Sequence, residues 1–356
     1  MTLTDERVGA CPEGLVEDSY LARLGDGDAV WADVRAHLSE SRAMRLRECV
    51  FLMLKPDAIE SGRHEEVLAA MEAAGWQLLH AHAALSCGPR HFEDLYKYNL
   101  TVRNEQNQIG VWWLNGRLYG MGPSLALMYR IPPVGGLTAH QQVKRLKGAS
   151  DPFSGSPGEL RWEARGSNTA LNLLHAADDP ISTAREFLIF GTPEQLRRAL
   201  RRADAIASGK PGGGPLPGAD VREQLFLTQP GRRSLDLASV MIRVKSRIRA
   251  GEPGAAVRSA TAGTYARYRQ IAEQDAGIVS RWHRFCALNA EEGRLLDGLP
   301  QGEGASDLMR RLAEPADYGF ELSAQILAEC ARRGLTTDPW EQLALDTGLY
   351  YHQERS

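Results

Sequence analysis

The run Ser208-Gly-Lys-Pro-Gly-Gly-Gly-Pro-Leu-Pro-Gly218 constrains this chain most, because so many glycines and prolines continue neither a helix nor a sheet. It reads as the clearest linker in the chain. At 356 residues the chain is also longer than one ordinary domain. Composition divides it into a helical extension over 1–46, a mixed domain over 47–191, a helix and the Gly/Pro-rich linker over 192–220, and a helical domain over 221–356. In the extension, Val30, Trp31, Val34 and Leu38 share one helical face. In the last domain, Leu237, Val240, Met241, Val244 and Ile248 form an apolar stripe. Tyr265, Tyr268, Ile271, Trp282 and Phe285 suggest another.

Between 47 and 191, short apolar runs alternate with amphipathic stretches. Cys49–Leu54, Trp76–Leu85 and Ser124–Tyr129 read as strands, and His64–Ala74 reads as a helix stopped by Gly75. Residues 91–98, 109–119 and 139–147 also read as helices, and 148–158 as an irregular loop. A short strand or turn then delivers His175, and Ile181–Phe190 closes the unit as a helix. This order predicts an α+β fold: a ferredoxin-like antiparallel α/β sandwich, followed by an all-α C-terminal domain.

Six motifs occur in sequence: Phe51-Leu-Met-Leu-Lys-Pro-Asp57, Gly122-Pro123, Gly148-Ala-Ser-Asp-Pro152, Ser156-Pro-Gly-Glu-Leu-Arg161, Asn172-Leu-Leu-His175 and Ser182-Thr-Ala-Arg-Glu186. In their order and spacing, residues 48–191 resemble the nucleoside diphosphate kinase family. The resemblance implies that the γ-phosphoryl of a nucleoside triphosphate passes through phospho-His175 to a nucleoside diphosphate or related acceptor. Imidazole suits that role because it is substantially neutral and nucleophilic near pH 7. Phosphoryl transfer is dominated by positioning and charge stabilisation, which calls for cations around the phosphates. By the same resemblance, Lys55 and Arg161 supply charge, Glu186 orients the imidazole, Tyr96 matches an active-site tyrosine, Ser150 contacts phosphate and Asn172 contacts the nucleotide. Magnesium (Mg2+) is implied by the polyphosphate substrate, while no metal-ligating set is read from the chain itself.

The departures surround the nucleotide entrance. Lys144 stands where the family has an arginine, keeping charge but losing the planar fork. Extra residues separate Tyr96 from Gly122, and the base-stacking phenylalanine has no clear counterpart; Trp112 or Trp113 is the candidate replacement. Pro132–Leu137 is a further insertion, and Trp162-Glu163 replaces the family's Gly-Asp after Arg161. Each residue also has an ordinary reading. Lys55 could end a strand in solvent, Arg161 could be a surface cation, Glu186 could pair only with Arg185 or Lys147, and the tryptophans could be packing residues.

Other signals carry less. His80 and His82 share a strand face, but no third metal ligand is placed by spacing, so solvent or a subunit contact is expected. Arg197, Arg198, Arg201 and Arg202 read as a solvated helix face, as do Arg243, Lys245, Arg247 and Arg249. The five cysteines are scattered and read as reduced thiols. With 24% charged residues and a net charge of −3, nucleic acid is not expected as a partner. No apolar run is long enough for a membrane helix and no signal-like start is present, so a cytoplasmic location is expected. The resemblance further implies a homodimer or higher homo-oligomer. Competing readings are a nucleotide-binding regulatory or assembly module without kinase activity, and a phosphohistidine enzyme whose acceptor is water or a specialised metabolite.

Overall fold

The structure, a computed structural model, describes residues 10–98, 112–210, 213–250, 255–274, 277–299, 307–335 and 337–355. Its two compact units are not colinear with the chain: one comprises 1–147 with 173–231, the other 148–172 with 232–356.

The first unit is built on a four-stranded sheet of β1 (Cys49–Leu54), β2 (Gln77–Ala84), β3 (Ser124–Arg130) and β4 (Leu174–Ala176), in the order β2-β3-β1-β4. Every pairing is antiparallel, the arrangement expected of the ferredoxin-like sandwich. All six residues of β1 are buried, as its unbroken apolar run requires of a strand covered on both faces. Cys49, Phe51 and Met53 share a core with Val30, Trp31, Val34, Leu38 and Phe187. The expected helical face near the N-terminus therefore packs on the sheet layer through the helix Pro180–Phe190.

Proline sets φ for the first turn of several helices, among them Pro89–Leu95 and Pro180–Phe190. The first starts two residues earlier than the sequence suggests, and Tyr96 caps it. The next helix, Trp112–Gly120, follows residues 99–111, which lie outside the described set together with the expected helix start at 109.

The Gly/Pro-rich run ends against the sheet. Leu216 N–H donates to the Leu78 carbonyl at 2.6 Å, and Gln224 Oε1, on the helix Gly218–Thr228, accepts Ala83 N–H at 2.9 Å. Both bonds satisfy backbone groups of β2 that would otherwise form an open sheet edge.

The second unit is helical. Leu237–Ala250, Ala262–Glu273, Ile278–Asp297, Phe320–Arg332 and Pro339–Arg355 are its longer elements, and the stripe Leu237, Val240, Met241, Val244 and Ile248 is buried. Lys245 departs from the expected polar face, since its side chain has no exposure. The reason is that Ser239 and Ile242 are buried too, so the helix Leu237–Ala250 is enclosed over much more than one stripe. Arg243 and Arg247 pair with Glu341, so they are not simply solvated either. Segment 148–172 belongs to this unit: Ser167 Oγ donates to the Leu235 carbonyl at 3.0 Å and Asn168 Nδ2 to Thr347 Oγ1 at 3.1 Å. No described helix is long and apolar enough to cross a membrane.

Candidate active site

Lys55-Pro56-Asp57 ends β1 and starts the short helix Pro56–Glu60, with Pro56 in the first turn where its missing N–H costs nothing. The same tripeptide shapes the approach to His175. Lys55 N–H donates to the Leu173 carbonyl, and Asp57 Oδ2 accepts Leu173 N–H, both at 2.9 Å. Leu173 is held there at φ 75°, an uncommon conformation for a residue with a branched side chain. Its tight turn launches β4, which sets His175 directly opposite Met53.

His175 Nε2 lies 2.8 Å from Glu186 Oε2, an imidazole N–H donating to a carboxylate. Glu186 is buried on the helix Pro180–Phe190, whose start is fixed by Asp179 accepting Ser182 N–H at 2.7 Å. The other carboxylate oxygen, Oε1, accepts from Arg185 Nη2 at 3.0 Å. Glu186 thus bonds His175 and Arg185 together, two of the three partners that the sequence offered it. The Tyr96 ring meets His175 edge-on, with centroids 5.1 Å apart, and its hydroxyl lies 3.1 Å from that of Tyr119. Burial, then neighbouring Tyr96, holds the Tyr119 phenol well above its ordinary pKa, so it stays protonated. Lys55 is 1% exposed, which excludes the solvated strand-end reading. It follows Met53 by two residues and so continues the strand face that carries His175.

A second cluster lies in segment 148–172. Arg161 is buried; its Nε donates to the Asn172 carbonyl and its Nη1 to the Ala149 carbonyl, both at 3.2 Å. It is no ordinary surface cation. Asn172 Nδ2 donates to the carbonyls of Ser150 and Thr169, at 2.9 and 2.8 Å. Ser150 itself is exposed. Glu159 Oε2 accepts the N–H groups of Ala149 and Ser156, each at 3.2 Å, and so clasps the loop.

The structure thus brings His175, Glu186 and Tyr96 into contact, and separately Arg161, Asn172 and the Ser150 backbone. Lys144 is exposed on Ala139–Lys147, Trp113 is 51% exposed, and the Trp112 side chain lies outside the described residues. Sequence reasoning gave no role to Tyr119, Asp57 or Glu159, and offered Arg185 only as a rival partner. Asp57 was within reach, since an acid two residues after a strand-ending lysine is suited to hold a neighbouring turn.

His80 and His82, expected to face solvent or a subunit, are tied into the fold. Their rings bond each other at 2.9 Å, and His82 Nε2 bonds the Phe190 carbonyl at 2.8 Å. Among the described residues no group of three or more His, Cys, Asp or Glu is placed to hold a metal ion.

Residues 48–196 match the family described as nucleoside diphosphate kinase. They form a nucleoside diphosphate kinase-like domain. The nucleoside diphosphate kinase of Moorella thermoacetica is 29% identical over 149 residues, spanning 42% of this chain and 97% of its own length. Nucleoside diphosphate kinase 3 of Spinacia oleracea is 25% identical over 162 residues, spanning 44% and 94%. The crystal structure of the Aquifex aeolicus nucleoside diphosphate kinase aligns with a TM-score of 0.35 at 19% identity, over 42% of this chain and 97% of that one. The kinase-like domain holds both the His175 cluster and segment 148–172, and a large helical region extends beyond it.

Proposed function

We propose that the protein is a phosphotransferase that moves the γ-phosphoryl of a nucleoside triphosphate through His175 to a nucleoside diphosphate or related acceptor. The His175 Nε2–Glu186 Oε2 bond carries this reading. With the proton held on Nε2 by a carboxylate, the neutral imidazole keeps its lone pair on Nδ1, the nucleophilic nitrogen. In the first half-reaction a bond forms between Nδ1 and the γ-phosphorus as the bond to the β–γ bridging oxygen breaks, and the nucleoside diphosphate leaves. In the second, an acceptor phosphate oxygen takes the phosphoryl and the electron pair returns to Nδ1. Glu186 stabilises the charge that the ring carries in between.

Lys55 is assigned to the transferring phosphoryl and Tyr96 to one wall of the imidazole. Arg161, Ser150 and Asn172 are assigned to phosphate and nucleotide contacts, with Lys144 as an outer cation and Trp112 or Trp113 at the base. Family likeness over 48–196 supports the general class of phosphotransferase. Magnesium is taken as part of the nucleotide substrate, bound by phosphate oxygens and water, because the described residues offer no donor cluster of their own.

The decisive experiment incubates the protein with γ-labelled ATP and seeks an acid-labile, base-stable phosphoenzyme, present in the wild type and absent in His175→Ala. An unlabelled but nucleotide-binding wild type would instead establish the regulatory-module reading. Challenge of the phosphoenzyme with nucleoside diphosphates and with water then identifies the acceptor.

A further inference from the structure

Adjacent residues of a helix point about 100° apart, so neighbours such as Arg185 and Glu186 do not pair by default. Here they do, and the cause lies on another element. Arg185 Nη1 donates to the Asp94 carbonyl at 2.6 Å and Nη2 to the Leu95 carbonyl at 3.1 Å, both at the C-terminal turn of Pro89–Leu95. The guanidinium carbon also lies 5.1 Å from the Tyr98 ring centroid. Those carbonyls are ones that a helix end leaves without intrahelical donors. Bonded to them, the guanidinium is turned so that Nη2 also reaches Glu186 Oε1 at 3.0 Å. One planar fork therefore joins the end of the helix that Tyr96 caps to the carboxylate bonded to His175.

We propose that Arg185 is a positioning residue that locks the Glu186 carboxylate onto His175 Nε2 and ties that alignment to the helix Pro89–Leu95. The inference rests on the phosphotransfer reading for its consequence but not for its geometry. Arg185 is not among the residues assigned to nucleotide. Its removal lets the Glu186 carboxylate rotate about its last bond, because Oε1 loses its charged donor. A lysine keeps a charge but cannot serve two carbonyls and a carboxylate in one plane.

The test uses the full chain and reads the imidazole directly. Nuclear magnetic resonance of the wild type should show a downfield His175 N–H signal, protected from solvent and identified by its loss in His175→Gln. In Arg185→Gln that signal should broaden or vanish. The rate of phosphoenzyme formation at saturating ATP should fall about tenfold with KM for ATP little changed, as for an interaction that acts on the reacting state rather than on binding. Arg185→Lys should recover part of both signal and rate, and serves if the glutamine variant does not fold. An undiminished N–H signal in folded Arg185→Gln overturns the proposal, whatever the rate. If the wild type takes no label yet the signal still depends on Arg185, the positioning role stands and the phosphotransfer reading fails.

Discussion

His175 and Lys245 sit in clusters made from the same parts, a nitrogen base, a buried glutamate and tyrosines, yet the two are arranged for opposite ends. In the helical unit, Lys245 Nζ donates to Glu292 Oε2 at 2.5 Å and to the Leu312 carbonyl at 2.8 Å, and it also bonds Asn289 and Tyr268. Tyr268 donates to Glu292 Oε2 at 2.8 Å. Both charged side chains have zero exposure, and the ammonium's donors are used within the cluster. Burial lowers the Lys245 pKa while Glu292 opposes that shift. In the kinase-like domain, by contrast, the His175 side chain is 12% exposed and its bond to Glu186 engages one of two ring nitrogens. A polar cluster can act on a substrate when it keeps a reactive atom uncommitted and reachable; the sealed cluster instead makes the helices that surround it depend on one another.

The largest expected effects separate the two. His175→Gln should reduce phosphoenzyme to background with little change in the urea midpoint, while Glu186→Gln should slow labelling by roughly 10²-fold, within the range for positioned proton-handling groups. Lys245→Met should do the reverse: a loss of about 3–5 kcal/mol in denaturation experiments, because the buried Glu292 loses its cationic partner. The double replacement Lys245→Met with Glu292→Leu should recover most of that loss, since two apolar side chains of similar size leave no charge behind. The contrast breaks if Lys245→Met is as stable as wild type but cannot be labelled.

These two clusters also differ in how far the sequence disclosed them. The His175 cluster was legible through the family resemblance, because Lys55-Pro-Asp57, Asn172-Leu-Leu-His175 and Glu186 keep the order and spacing of its motifs. β1, β2, β3 and the stripe from Leu237 to Ile248 were legible from apolar pattern, whereas β4 read only as a short strand or turn. Lys245 was not, because a lysine between apolar positions reads as polar face until the helices around it are known. Its partners Glu292 and Asn289 are 47 and 44 residues away, with nothing local to announce them. The pairing of Arg185 with Glu186 was offered by the sequence, but its bonds to the helix Pro89–Leu95 were not: the carbonyls that turn it lie 90 and 91 residues earlier, and backbone acceptors leave no mark in a sequence.

The same contrast sharpens among the histidines of the first unit. Burial above all, then His82, Arg202 and Arg198, lowers the His80 pKa to about 4. Burial and then Lys147 lower that of His140 to about 3, despite Glu17 at 3.8 Å and a hydrogen bond to Thr183. Above pH 7 both are neutral folded or unfolded and contribute no pH dependence. As pH falls through 6.5 the unfolded chain takes protons that the folded chain refuses, so stability is lost until the folded values near 4 and 3 are reached. At pH 5.5 each should cost about 1.4 kcal/mol relative to pH 7.5. Unfolding free energies measured at those two pH values should converge by that amount in each of His80→Gln and His140→Gln; an unchanged pH dependence in both would show that neither histidine is sealed from water.

The smallest effect tests whether segment 148–172 is ordered as a built part of its unit. Gly148 has φ 76°, a region that costs a residue with a side chain about 1–2 kcal/mol, and an added Cβ would fall on the Glu159 side chain at its Cβ and carboxylate. Because the contact includes Glu159 Cβ, moving only the carboxylate end would not relieve it. Glu159 would have to leave Ala149 and Ser156, whose N–H groups it accepts, and the carbonyls of Gly148 and Ala149 that receive Arg161 would shift with them. Gly148→Ala should therefore raise KM for ATP several-fold, while the final yield of phospho-His175 and the His175 N–H signal stay at wild-type values. Loss of that signal instead would mean that the histidine cluster depends on the Glu159 clasp, and the independence of the two clusters would have to be given up.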